Sequence, residues 1–529
     1  MLFRQFSAFA AAGAITAALA GPAMAQTYIR GTDGDPETLD QHKTSTVTEA
    51  NLLRDLYEGL VVYDEKAQII PGVAESWDIS EDGLTYTFNL RDDATWSNGD
   101  PVTAEDFVYS LKRIQDPATA AKYASILYPI KNAEAINAGE AEIDTLGVRA
   151  VDERTLEITL EQPTPYFVEL LQHQTALPVH PASVEEYGAD FVQPENMVSN
   201  GAYTLESFVP NDKIVLTRSD SFREADQVSI ERIEFTPFED RATCVRRFEA
   251  GEVHSCSDVP GEQIPRLRET LGEQLRIAPY LGVYYYGINT KREHLSDPKV
   301  RQALSMVIDR EFLADEIWSG TMVPAYSWVP PGIGNYTEDA PQLDYAETSM
   351  LDREDQAIAL MEEAGYGPDN PLQIEISYNT SENHKNTATA IADMWATLGV
   401  ETTFNVRDAS AHYAMLRDDK VHDVARAGWI GDYSDPQNFL FLNESHNTGF
   451  NYGNYENPEY DALMDKAAAE TDLAARADIL AEAEAVFLRD LPQIPLLFYS
   501  SRSLVSDKLQ GWEDNIQNAH ATRWMSIAE

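Results

Sequence analysis

Polar and apolar side chains alternate along Thr85-Tyr86-Thr87-Phe88-Asn89-Leu90, the period-two pattern of a strand with one buried face. The period then lengthens to that of a helix. Thr103 is a suitable N-cap, Asp106 lies near the positive helix end, and Phe107 and Leu111 share one face. Pro298 opens a longer helix whose Val300, Ala303, Leu304, Val307, Ile308 and Phe312 form one apolar stripe. Another helix runs through Ile358 and Met361 and stops near Gly365. The segment 458–489, rich in Ala, Leu and Glu, reads as one or two helices. Residues Ala242 to Ala250 read as a short helix ended by Gly251, and Val253 to Ser257 return as a strand. Such mixing of strands and helices predicts an α/β or α+β chain, and the stripes are read as core faces.

The N-terminus departs from this pattern. Arg4 is followed by an apolar stretch from Phe6 to Ala20 and by Gly21-Pro22-Ala23-Met24-Ala25, a small-residue site of the A-x-A type. Residues 1–25 are therefore expected to be a cleavable export signal, with the mature chain starting at Gln26. The apolar stretch is short for a membrane span, and no cysteine follows the cleavage site to carry a lipid. A soluble periplasmic protein is expected, not a lipoprotein.

About 500 mature residues exceed what one hydrophobic core usually organises, so two or three domains are expected. The 39 Lys and Arg stand against 88 Asp and Glu, a formal net charge of −49, which disfavours nucleic acid and anionic lipid as partners. The charges are scattered rather than gathered into a tail, as on a folded acidic surface. Two cysteines, Cys244 and Cys256, are too few for a zinc site, and in an oxidising compartment a disulfide is the leading reading. The sequence holds no G-x-S-x-G elbow, no H-E-x-x-H and no G-x-x-x-x-G-K-[ST] loop, and its ten histidines are dispersed. Neither catalysis nor a metal or other cofactor is expected.

Several segments in order resemble one family. They include Asn51-Leu52-Leu53-Arg54-Asp55-Leu56-Tyr57-Glu58-Gly59-Leu60, Pro71-Gly72-Val73-Ala74-Glu75-Ser76-Trp77, and the stretch from Leu90-Arg91-Asp92 through Trp96-Ser97-Asn98-Gly99 to Phe107. Further on come Ser199-Asn200-Gly201-Ala202-Tyr203, Tyr284-Tyr285-Tyr286-Gly287-Ile288-Asn289, and Ala425-Arg426-Ala427-Gly428-Trp429-Ile430-Gly431-Asp432-Tyr433-Ser434-Asp435-Pro436. Together they resemble the extracytoplasmic solute-binding proteins of the peptide/nickel class (family 5), most of all those that bind oligopeptides. The resemblance implies a bilobed periplasmic-binding-protein fold, type II and cluster C-like, with three structural domains and a hinge. A discontinuous first domain would take 26–57, 184–281 and 500–529, a second 58–183 and a third 282–499. It implies an oligopeptide held between lobes that close by hinge motion, then delivered to the permease subunits of an ABC transporter. A monomer is expected. Other solutes of the family, such as a murein peptide, a metal complex or a glycoside, and a sensory or chaperone-like peptide binder, are alternatives.

The resemblance also assigns roles. Asp432 matches the aspartate that pairs with a ligand's α-amine, while Gly428, Trp429 and Ile430 would supply strand-like backbone contacts, the Trp429 ring lining a pocket. Tyr123 and Tyr499 match tyrosines that touch the peptide backbone. Arg426 and His384 match positions that receive the carboxylate of three- or four-residue ligands, and Arg417 matches a further cleft arginine. The lysine that serves dipeptides falls at Trp318, two acidic positions fall at Gly287 and Ser45, and a cysteine pair falls at Gly282 and Ile430.

Overall fold

The computed structural model describes residues 26–44, 46–238, 240–447 and 449–528. The export signal read in residues 1–25 and the substitution noted at position 45 lie outside the described residues. Two long antiparallel strands, Leu275–Ile288 and Gln493–Val505, tie the molecule together. They pair twice, Leu275–Pro279 with Ser500–Leu504 and Val283–Gly287 with Gln493–Phe498, and their register breaks between Pro279 and Val283.

Each end of this pair belongs to a different half of one eleven-stranded sheet. On one side follow Ser255–Cys256, Thr27–Asp33, Arg232–Phe238, Lys213–Arg218 and Tyr203–Val209; on the other follow Val424–Ile430, Leu372–Asn379 and Val400–Arg407. Separate cores form around the two ends. One buries Tyr285, Trp328, Trp395 and Phe487, all from segments between Leu281 and Phe498. Another buries Tyr28, Phe88, Trp96 and Tyr203 and includes a second sheet, Ala74–Ile79, Thr85–Leu90, Thr155–Thr159 and Val148–Asp152. A small cluster around Phe248, Ile264 and Leu267 contains the bonded pair Cys244 and Cys256, whose Cα atoms are 6.0 Å apart. The fold is α/β and bilobed, with the two halves of the sheet meeting at the break.

Local signals explain most elements. The strand predicted at Thr85–Leu90 buries Tyr86, Phe88 and Leu90. The helix Ala104–Gln115 starts where Asp106 turns back to accept the Thr103 N–H at 2.8 Å. Segment 458–489 forms two helices, Pro458–Ala469 and Leu473–Asp490. The helix opened by Pro298 differs from expectation: it ends at Met306, and Phe312 is 42% exposed. Asp309 starts a new turn by accepting the Phe312 N–H at 2.8 Å. The buried Arg310 guanidinium donates to the carbonyls of Ser305 and Ile308 at 3.2 and 3.4 Å, satisfying acceptors at the helix end.

Candidate functional site

The strand Val424–Ile430 pairs along its whole length with Gly282–Ile288 on one side. On its other side the ladder with Leu372–Asn379 reaches only Val424 and Ala425. From Arg426 to Ile430 that edge has no strand partner among the described residues, leaving main-chain groups able to pair with an extended ligand. Gly428 lies at its middle because a Cβ there would stand 2.6 Å from the Tyr499 hydroxyl. Gly282 and Ile430 face each other across the ladder, and a Cβ on Gly282 would meet the Ile430 side chain at 2.5 Å.

Arg426 marks one end of the free edge. It is 7% exposed, and its guanidinium is surrounded by neutral groups. It donates to Asn379 Oδ1 at 3.1 Å, to the Tyr413 hydroxyl at 2.8 Å and to the Tyr499 hydroxyl at 3.1 Å, and lies over the Tyr284 ring at 4.8 Å. Its Nε finds no acceptor, and it forms no ion pair among the described residues. Next to it, His384 is 8% exposed, and its Nδ1 meets the Tyr284 hydroxyl at 3.1 Å. Burial and the Arg426 charge push the His384 imidazole down to about 3, so it is neutral at pH 7. A buried cation without a counter-ion is a seat for an anion.

Asp432 lies just beyond the other end. Burial raises its carboxyl above the usual range, and the Tyr123 hydroxyl is the group that opposes the shift. No arginine or lysine pairs with it among the described residues. It borders a cleft of about 370 Å³ with Tyr123, Arg54, Gln172, His173 and Tyr280. The second aspartate of the motif has a different environment. Asp435 is fully buried and accepts both Arg476 Nη atoms at 2.8 Å, the Gln437 N–H at 2.9 Å and Asn335 Nδ2 at 3.2 Å. That arrangement fixes the turn on which Asp432 sits.

The remaining residues separate. Tyr499 borders an adjoining cleft of about 540 Å³ beside the strand break, sharing Thr46, Val47 and Tyr280 with the first. Ile430 is 39% exposed and lines the Asp432 cleft. Trp429 donates its indole N–H to Asn438 Oδ1 at 2.8 Å and packs edge-on against Phe441 and Phe450. Arg417 is exposed beside Asp418 and makes no hydrogen bond to the Arg426 group. Trp318 donates to Thr387 Oγ1 at 3.1 Å and stands edge-on to Tyr284, filling space next to His384. At Gly287 a Cβ would have ordinary contacts, the nearest 3.6 Å away on Tyr452. Sequence reasoning did not single out Tyr284, Tyr413 and Asn379 around Arg426, or Arg54, Gln172 and Tyr280 near Asp432. The tyrosine run 284–286 was a visible signal, but its partners lie far along the chain.

Comparison with known proteins identifies the family and the fold. Residues 68–451 match the family model for the middle region of bacterial extracellular solute-binding proteins, family 5. The chain is 38% identical over 515 residues to the periplasmic oligopeptide-binding protein OppA of Escherichia coli, covering 95% of this chain and 93% of that one. Among solved structures, the unliganded open form of the periplasmic murein tripeptide-binding protein MppA superposes with a TM-score of 0.90 at 36% identity, covering 96% and 98% of the two chains. OppA of Haemophilus influenzae in complex with RPPGFSPFR gives 0.72 at the same 36% identity, covering 96% and 99%. At equal identity the superposition is closer on the unliganded open form than on the peptide complex. An open two-lobed molecule with a free strand edge in its cleft is what this sequence folds into, and the chain belongs to the bacterial extracellular solute-binding proteins of family 5.

Proposed function

We propose that this chain is the periplasmic binding component of an ABC-type oligopeptide importer, holding a peptide between its lobes and passing it to the membrane permease. The observation that carries the reading is the pair of charges without counter-ions, buried Arg426 and half-buried Asp432, at the two ends of one free strand edge. A peptide is the complementary object: an ammonium at one end, a carboxylate at the other, and main-chain donors and acceptors between them. Arg426 and Asp432 are six positions apart, roughly 20 Å on an extended chain. Allowing for the reach of the arginine side chain, this suits extended ligands of about three to five residues, which span roughly 10–17 Å. Both charges belong to the same lobe, so their separation does not depend on closure. Asp432 then receives the α-amine, the Gly428–Ile430 edge pairs with the ligand backbone, and Arg426 with neutral His384 receives the carboxylate.

We assign 26–57, 184–281 and 500–529 to one unit, 58–183 to a second and 282–499 to a third, with the hinge at the register break; a separate core built from Leu281 to Phe498 supports the third unit, while the first two share one core. The chain acts as a monomer after its signal is removed on export. The names of the relatives, oligopeptide-binding and murein tripeptide-binding proteins, support a peptide ligand. Ligands released from protein purified from the periplasm test the reading by mass spectrometry. Peptides with free amino termini are expected; a non-peptide solute as the only released species would overturn it.

A further inference from the structure

The cleft beside Asp432 contains a second feature that binding of a terminal amine leaves unexplained. Arg54, from the helix Val47–Leu56, lines the same cleft. Arg54 makes no hydrogen bond and no ion pair among the described residues, and its buried Nε finds no acceptor. The Gln517 Nε2 lining the same cleft is also buried without an acceptor. Gln172, 6% exposed, borders the cleft with its amide oxygen unpartnered.

Nearby groups do not neutralise the guanidinium. Asp55 is the carboxylate closest in sequence, but its oxygens accept the Thr522 N–H at 2.8 Å and the Thr522 hydroxyl at 2.7 Å. Tyr63 and Tyr280 are uncharged, and Arg30 adds charge of the same sign. His173 is pushed down to about 3 by burial and by Arg54 itself, so it stays neutral. Tyr280 lines the same cleft and is within electrostatic reach of both Arg54 and Asp432, which act on it with opposite effect.

Two orphan donors, one of them on a cation, therefore belong to side chains that line the same cleft as the proposed amine anchor. We propose that Arg54 and the Gln517 amide receive the carboxylate of an acidic first side chain, so that this protein prefers peptides beginning with Glu or Asp. The inference rests on Asp432 binding the α-amine, because that contact sets the first side chain into this part of the cleft. It runs against the field of the whole chain: a net charge of −49 favours a cationic first residue, whereas the local cation favours an anionic one.

Calorimetry at about 0.15 M salt, where long-range fields are screened, tests the order. The probes are tetraalanine and three peptides in which glutamate, glutamine or lysine precedes three alanines. The glutamate peptide is expected to bind about tenfold or more tighter than its glutamine isostere, and the lysine peptide weakest. In Arg54→Met the glutamate-to-glutamine ratio falls toward one, while Arg54→Lys retains a preference for glutamate. Equal binding of the glutamate and glutamine peptides to the wild type overturns the inference without any variant. So does a lysine peptide that binds tightest, or an unchanged ratio in Arg54→Met. Tetraalanine separates the two levels: if it binds and no glutamate preference appears, only the Arg54 inference falls. If none of the four binds, the peptide reading falls and takes this inference with it.

Discussion

Asp435→Asn should lower thermal stability strongly, whereas Asp432→Asn, three residues earlier in the same motif, should not. Asp435 and Arg476 are 0% and 1% exposed and share two hydrogen bonds of 2.8 Å. An asparagine keeps one acceptor but turns an NH₂ toward a guanidinium that only donates, and leaves its charge buried without a partner. Breaking a buried pair in this way costs about 3–5 kcal/mol. For a cooperative unit of about 200 residues, each kcal/mol lowers the melting temperature by about 2–4 °C, giving a drop of roughly 6–20 °C. Asp432 has the opposite balance. Its folded carboxyl is raised above the unfolded value by burial, so its contribution to stability is present at low pH and lost as pH rises through the folded value. At pH 7 the neutral amide removes that cost, and the melting temperature should be equal to or slightly above wild type. Calorimetric and circular-dichroism melts of ligand-free protein at pH 7 decide the matter. Equal losses in both variants, or an Asp435→Asn melt unchanged from wild type, would refute the assignment of structural and ligand-facing aspartates.

Three further expectations follow from the Arg426 end. Arg426→Met should weaken a tetrapeptide with a free carboxylate by about 2–5 kcal/mol and affect its C-terminal amide far less; equal losses by calorimetry would remove the carboxylate role. In an alanine series of two to five residues, dipeptides should bind more weakly than the longer members, because Trp318 occupies space next to His384; dipeptides binding tightest would contradict this. The His384 ring resonances should not titrate between about pH 8 and pH 5, since its folded pKa is held near 3 and its neutral form stabilises the fold above the unfolded value of about 6.5. A midpoint between about 6 and 7 in an NMR titration would show a solvated imidazole instead.

Much of the fold was legible because its signals are local. The alternation at Thr85–Leu90, the Thr103 and Asp106 start and the Ala-rich helices near the C-terminus each follow from neighbouring residues. The break after Met306 was not read, because it depends on Arg310 folding back onto carbonyls that sequence periodicity does not reveal. Asp432 and Arg426 were identifiable from their motif, but not the reason either is uncompensated. Arg426 draws its neutral partners from Tyr284, Asn379, Tyr413 and Tyr499, four separated segments joined only by the sheet. Gly428 is a further case: its need for a missing side chain comes from Tyr499, a neighbour 71 positions away. Arg54 lies within a family-like segment, yet its lack of a partner is a property of the packed cleft alone.

The central claim is that Asp432 holds a ligand's charged amino terminus, and a four-way calorimetric measurement tests it most directly. Free and N-acetylated forms of one tetrapeptide are titrated into wild type and Asp432→Asn. Removing one member of a buried charge pair costs about 2–5 kcal/mol of binding, a loss of roughly 30- to several-thousand-fold. Acetylation of the ligand should cost the wild type a similar amount and cost the variant little, since the pair is already broken, so the two changes are strongly non-additive. Acetylated and free peptides binding the wild type equally well would contradict the claim and give the cleft to a different class of solute.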